Sequence, residues 1–202
     1  MDFPETTSFT RRKLPHWRVS ERPYFVTFRL KGSLPRHVVE ELQKRKEELL
    51  IDEANDEKMH QYQRHAFKKI EEILDNTSNE ENCYLVKPEM ALLVMNAFQF
   101  LENKYCWRFP SYVVMPNHVH CLAIADKEGI KKTLTQTIGF LKSFVSKEGN
   151  KILGRQGSMW VDENFDHWCR TPDKTESVVK YIRNNPIKAK LVDKIEDWKW
   201  VK

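Results

Sequence analysis

Two histidines one residue apart, His118-Val119-His120, are the pair in this 202-residue sequence best placed to share a chemical task. In a β-strand, alternate residues point to the same face. Both imidazoles would then project together, directly after the Met115-Pro116-Asn117 turn. Neutral imidazole is a common ligand for divalent ions, so the pair could chelate one metal. Two surface histidines with no shared task would read the same way. A second group lies near the C-terminus, in Val179-Lys180-Tyr181-Ile182-Arg183-Asn184-Asn185-Pro186. Asn185 follows Tyr181 by four residues and shares its face if the helix persists that far. A phenol so placed could attack phosphorus and form a covalent phosphotyrosine, conserving bond energy between two displacements. A metal on the phosphate oxygens would assist it. The plainer reading is core packing, with Val178, Tyr181 and Ile182 on one apolar face.

Other proteins that use His-x-His can be weighed. Metallo-β-lactamase-like hydrolases extend the pair to His-x-His-x-Asp-His, whereas Cys121 and Leu122 follow here. Histidine-triad hydrolases require a third histidine at position 122. Amidohydrolases place the pair early in a barrel of about 250 residues. None of the three fits.

The elements that must position these residues are legible. Tyr24 to Leu30 reads as a strand, aromatic and β-branched between Pro23 and Lys31-Gly32-Ser33. Val38, Val39, Leu42, Leu49 and Leu50 recur at near-helical spacing. The charged stretch from Asp52 to Glu81 reads as a further helix plus a loop near residues 76–79. Pro88 opens a helix whose apolar positions are Ala91, Val94, Met95, Phe98 and Leu101. Trp107–Val114 and His118–Ala125 read as consecutive strands. From Lys127 to Lys147 the pattern is helical, with Ile130, Leu134, Ile138, Leu141 and Val145 in one stripe. Gly149 and Gly154 bracket its end. Thr171, Pro172 and Asp173 form a helix start, and Pro186 predicts an end near Asn184. The order predicts one α+β domain over 1–202: an antiparallel sheet with helices on one face, plus a helical insertion at about 36–104.

Charge is unevenly spread. Residues 1–36 carry 8 Lys/Arg against 3 Asp/Glu, residues 37–110 carry 10 against 15, and residues 111–202 carry 16 against 11. The segment charges are thus +5, −5 and +5, within a total of +5. Folded together, the basic ends would suit a polyanion; scattered solvated lysines are the alternative. Candidates for single-strand contacts are Arg11, Arg12, Lys13, Arg29 and Lys142, with Trp17 stacking on an unpaired base. No run of apolar residues is long enough to span a bilayer, and the N-terminus has no apolar signal segment. The four cysteines form no Cys-x-x-Cys pair, which predicts reduced thiols and a cytoplasmic protein.

Taken together, these segments resemble the single-tyrosine HUH transposases, and among them the REP-associated tyrosine transposases. Tyr112-Val113-Val114-Met115-Pro116-Asn117-His118-Val119-His120 resembles the hallmark strand-turn-strand. Arg11-Arg12-Lys13-Leu14-Pro15-His16-Trp17, followed by Tyr24 to Arg29, resembles the N-terminal motif. Trp160 and Phe165-Asp166-His167 resemble the segment before the nucleophile helix. Tyr181 to Ala189 resembles the tyrosine motif, with Ile187 where valine is usual. The motifs occur in the expected order, and only residues 36–104 are weakly diagnostic.

The resemblance implies a ferredoxin-like domain that nicks and rejoins single-stranded or hairpin DNA with Mg²⁺ or Mn²⁺, as a monomer or homodimer. It implies His118 and His120 as the metal pair and Tyr181 as nucleophile. It implies Asn185 as a third ligand, and it leaves His16 and His167 without an assigned role. A domesticated, non-cleaving binder of structured single strands is the alternative. A rolling-circle initiator or relaxase shares the chemistry, but the Tyr-Ile-x-x-Asn-Pro motif favours the transposase branch.

Overall fold

The computed structural model describes residues 6–11, 15–19, 22–51, 56–76, 82–105, 107–126 and 132–202, with backbone alone for the first two segments. Thr6–Arg11 (β1) and Pro15–Val19 (β2) pair antiparallel as a separate two-stranded sheet. The main sheet contains Tyr24–Arg29 (β3), Trp107–Val114 (β4), His118–Ala125 (β5) and Phe165–Trp168 (β6), in the spatial order β4-β5-β3-β6. Every pairing is antiparallel. Arg36–Ile51 (α1), Asp56–Asn76 (α2) and Pro88–Tyr105 (α3) link β3 to β4, and Leu134–Leu153 (α4) links β5 to β6. This strand-helix-strand-strand-helix-strand order, with β3 and β5 central, is the ferredoxin-like topology expected from sequence. Pro172–Lys188 (α5) follows.

The pleat sorts the central strands into two faces. Tyr24, Val26 and Phe28 of β3 and Val119, Cys121 and Ala123 of β5 pack with α3 and α4 in the larger core. Phe25 of β3 and Leu122 of β5 turn to the other face, where Val178 and Ile182 of α5 and Phe67 of α2 meet them. A bulge in β4 lets Phe109 and Tyr112 enter the same core although they lie three positions apart. Pro110 sits there, where the ladder asks for no regular donor.

The helix ends follow their sequence. Thr133 and Gln136 close a capping box at the start of α4, and Gly154 ends it with φ 61°, in the left-handed region. Gly149 lies inside α4 and lets α3 approach closely: a Cβ there would sit 2.6 Å from Met90 Cε. Thr171 caps α5, accepting from the Lys174 amide at 3.2 Å. The C-terminal segment covers the open edge of β4: the Val114 amide donates to the Trp200 carbonyl and the Lys202 amide to that of Tyr112, each at 2.9 Å.

Three expectations need correction. The helices do not share one face: α3 and α4 cover one side, while α2 and α5 occupy the other, because both faces of β3 and β5 are apolar enough to need cover. The helix expected over residues 127–147 occupies 134–153, with Thr133 as its cap; residues 127–131 lie outside the described residues. Helix α5 does not stop near Asn184 but runs through Pro186 to Lys188. Proline removes one amide and deprives the Ile182 carbonyl of its usual donor. The buried Pro186 ring and the bond from the Ala189 amide to the Asn185 carbonyl, at 2.9 Å, hold the last turn nonetheless. Cys121 and Cys169 are buried and Cys83 is half-buried, and none of the three is in a disulfide; Cys106 is not among the described residues. No described helix is long and apolar enough to cross a membrane.

Candidate metal and nucleophile site

The Pro116-Asn117 turn delivers His118 to the first position of β5. The Met115 amide closes the turn on the His118 carbonyl at 2.9 Å, and the Leu30 amide donates to the Asn117 carbonyl at 2.9 Å. His118 and His120 are both fully buried. Their Nε2 atoms stand 3.0 Å apart. The Nδ1 atoms are engaged behind them: that of His118 lies 2.6 Å from Asn117 Oδ1, and that of His120 lies 2.7 Å from Thr27 Oγ1. Thr27 is the register partner of His120 across β3 and β5. Because a carbonyl oxygen can only accept, Asn117 places the His118 proton on Nδ1 and leaves the Nε2 lone pair facing His120 Nε2. Burial first, and then the neighbouring His120, push the His118 pKa down to about 3, so the ring is a neutral ligand.

A third group completes the set. Glu71, from α2, places Oε2 3.2 Å from His120 Nε2. One ligand atom each from Glu71, His118 and His120 lie within 4.8 Å of one another, and all three residues are buried. Burial alone would raise the Glu71 pKa; the two histidines and the Tyr181 phenol outweigh it and hold it at about 2. The second oxygen, Oε1, is buried with no hydrogen-bond partner. Two ligands at right angles, each ~2.1 Å from one ion, would stand about 3 Å apart, which the Nε2 pair satisfies. An orphaned carboxylate oxygen beside two imidazole nitrogens 3.0 Å apart fits a divalent cation.

Tyr181, on α5, donates its phenol proton to Glu71 Oε2, the oxygen nearest His120. Its ring lies 5.6 Å from that of His120, centre to centre. Phe25 packs against both, stacked on His120 at 5.4 Å and edge-on to Tyr181 at 5.7 Å. Phe67 and Phe165, stacked on each other at 4.1 Å, close the apolar wall. Burial, reinforced by the Glu71 charge, pushes the Tyr181 phenol well above its ordinary range. Asn185, one turn further on, is fully buried. It lies close enough to favour the ionised phenol, yet neither of its amide atoms makes a hydrogen bond.

The remaining residues singled out in the sequence fall in different places. Arg29 pairs in register with His118, so it projects from the same sheet face; burial lowers it to about 10. Its Nη1 donates to Ser33 Oγ at 3.2 Å. Lys142 is buried on the opposite side, its ammonium on the carbonyls of Val161 and Asp162 at 2.8 and 3.2 Å. His167 is exposed on β6, opposite Phe25 in register. Arg11, His16 and Trp17 lie on β1 and β2, where side chains are not described, and Arg12 and Lys13 lie outside the described residues.

Sequence reading missed Glu71. Its signal was present: Phe67, Glu71 and Leu74 recur at helical spacing, so a carboxylate occupies an apolar position of an amphipathic helix. It also missed the side chain of Asn117, whose Nδ2 donates to the Leu74 carbonyl at 3.3 Å and so fastens α2 beside the histidines.

No protein-family model matches the chain, and no curated protein is similar to it. Solved structures are. A REP-associated tyrosine transposase bound to a REP hairpin superposes with TM-score 0.57 and 15% identity, over 96% of this chain and 82% of that one. A candidate transposase from Deinococcus radiodurans R1 gives TM-score 0.42 and 12% identity, over 83% of this chain and 92% of that one. At 15% identity the first likeness establishes a shared fold.

Proposed function

We propose that this chain is a metal-dependent enzyme that breaks and rejoins single-stranded DNA through a covalent bond from Tyr181 to phosphorus. The observation that carries the reading is the single carboxylate oxygen of Glu71. It accepts from the Tyr181 phenol and lies 3.2 Å from His120 Nε2, so nucleophile and candidate ligands meet at one point within one chain. A tyrosine serving only the core has no need of a buried carboxylate between it and two histidines. The fold shared with a transposase that was solved on a REP hairpin supports a hairpin or single-stranded substrate.

His118, His120 and Glu71 would hold a divalent ion, Mg²⁺ or Mn²⁺, with Asn185 a candidate for a further position. Bound there, the ion would polarise a phosphate and steady the leaving oxygen. Glu71 orients the phenol toward that point. Phe25, Phe67 and Phe165 limit water around it, which favours rejoining over hydrolysis. Tyr181 Oη attacks phosphorus, the bond from phosphorus to the 3′ oxygen breaks, the phenol gives up its proton and the 3′ oxygen gains one. A 3′ hydroxyl reverses the sequence and restores the tyrosine, so bond energy is conserved. Arg29, beside His118 in the sheet, is the described cation best placed to meet the strand. Arg11, Arg12, Lys13 and Trp17 remain proposed DNA contacts. Lys142, committed to two backbone carbonyls, does not belong to that surface.

The test is a denaturing gel with end-labelled hairpins from repeats of the source genome. The wild type gives a protein-linked band only with Mg²⁺ or Mn²⁺, and Tyr181→Phe gives none. A band that survives Tyr181→Phe would assign another nucleophile. No band on any repeat would leave a binder of structured DNA.

A further inference from the structure

Because α5 continues through Pro186, Lys188 reaches the site. It lies seven residues beyond Tyr181 and so falls on the same helical face. Its Nζ is 5.4 Å from the centre of the Tyr181 ring. The ammonium rests on Asp75 Oδ2 at 2.7 Å. Asp75 stands one turn beyond Glu71 on α2, so two carboxylates and one ammonium surround the phenol.

The ion pair is lopsided. The Lys188 side chain is 47% exposed, while that of Asp75 is 7% exposed. Asp75 Oδ1 is buried without a hydrogen-bond partner. The anion is therefore fixed in the wall, while the cation sits at the mouth on a flexible stem with three donors. A phosphodiester brought to Tyr181 carries one negative charge, and attack by the phenolate adds another. Glu71 and Asp75 repel both. Lys188 holds an ammonium 5.4 Å from the Tyr181 ring, beside the group on which this charge would develop.

We propose that Lys188 is a catalytic residue that moves from Asp75 onto the phosphate attacked by Tyr181, stabilising its charge in the transition state. The proposal rests on the reading of Tyr181 as nucleophile. Lys188 transfers no proton in this role. Asp75 keeps it beside the phenol until a strand arrives.

A purely structural clamp between α2 and α5 would use the same ion pair, and the two roles differ in what Asp75→Asn does. The probe is hairpin DNA with a randomised single-stranded flank, end-labelled, in Mn²⁺. Single-turnover formation of the covalent band should slow about 100-fold in Lys188→Met, as for loss of a donor to a developing oxyanion. Lys188→Arg should recover most of that rate. Asp75→Asn should slow the reaction far less than Lys188→Met, because it removes the anion and leaves the donor to the phosphate in place. Binding is read separately by anisotropy in the Tyr181→Phe background. Adding Lys188→Met there should reduce the slope of log affinity against log salt by about 0.7, one single-strand phosphate. If Asp75→Asn is slowed as much as Lys188→Met, the pair is a clamp and the proposal is overturned. An unchanged salt slope also overturns it. A wild type that never forms the band overturns the catalytic role along with the reading of Tyr181, and the salt slope then decides the phosphate contact on its own.

Discussion

Glu71→Gln isolates the residue that the structure adds to the histidine pair. Glutamine keeps the length of the side chain and an oxygen that can accept from Tyr181. It removes the negative charge 3.2 Å from His120 Nε2, and with it the better ligand for a hard cation. Changing groups that only orient a ligand costs 10–100-fold in metal affinity, so losing an anionic ligand should cost at least about 100-fold, or roughly 2.7 kcal/mol. The metal-free fold should lose stability as well. The depressed Glu71 pKa means that the carboxylate contributes stability in full above its ordinary value of 4.5, a contribution lost as pH falls toward about 2. At pH 7 glutamine forfeits that contribution but keeps the hydrogen bond. The assay is titration of the purified protein with Mn²⁺, free ion being followed by electron paramagnetic resonance. Wild type, Glu71→Gln and Asn185→Ala are compared at pH 7. Glu71→Gln should lose the site and Asn185→Ala should weaken it by less than about tenfold. The reasoning is refuted if Glu71→Gln binds Mn²⁺ like the wild type while Asn185→Ala does not, because the third ligand would then come from the tyrosine helix.

Other outcomes follow from the same geometry. Tyr181→Phe should retain Mn²⁺ affinity within a few-fold and DNA affinity in anisotropy, while forming no covalent band; loss of both affinities would make the phenol structural. Asn117→Ala should weaken Mn²⁺ binding by about 10–100-fold without touching the metal, since it frees the His118 ring and unpins α2 from the Leu74 carbonyl. Either histidine changed to alanine should abolish the Mn²⁺ titration while far-ultraviolet circular dichroism stays native. Burial lowers Lys142 from 10.5 to about 8, against the pull of Asp162 and Glu163. The unfolded chain then binds the extra proton between those values, so Lys142 makes the wild type gain stability as pH rises from 8 toward 10.5, by at most about 1.4 kcal/mol per pH unit. Urea denaturation of wild type and Lys142→Met at pH 8 and 9.5 checks this; equal changes in both proteins would contradict it.

What the sequence made legible depended on whether a residue's task was local. His118 and His120 meet because a strand alternates, and the strand was visible from its own residues. The caps at Thr171 and Gly154 were readable for the same reason. Glu71 was legible only as a carboxylate at an apolar helical position; its place beside the histidines comes from α2 crossing back over the sheet, and no spacing in the sequence encodes that crossing. The rule that proline ends helices is also local. It yielded at Pro186 because tertiary packing buried the ring, and Lys188 was placed only by that continuation. The two-faced packing of the sheet had a visible signal in Phe25 and Leu122, apolar residues on the face that alternation would otherwise leave polar.

The crossing of α2 ties the site into one cooperative unit. Asn117 holds both His118 and the Leu74 carbonyl, so the turn that places the metal pair also places the helix that carries Glu71. Glu71 joins His120 to Tyr181, and Asp75 joins the same helix to Lys188. The links leave from Glu71 and, one turn on, from the adjacent Leu74 and Asp75, and they end on the turn before β5, on β5 and on α5. Displacing that helix would therefore disturb Glu71, Tyr181 and Lys188 together. Effects of paired substitutions across these links should be non-additive, as expected for residues sharing one network. Asn117→Ala combined with Glu71→Gln should lose little more Mn²⁺ affinity than Glu71→Gln alone. Additive losses would mean that α2 is held in place by its packing on Phe25 and Phe165, independently of the turn.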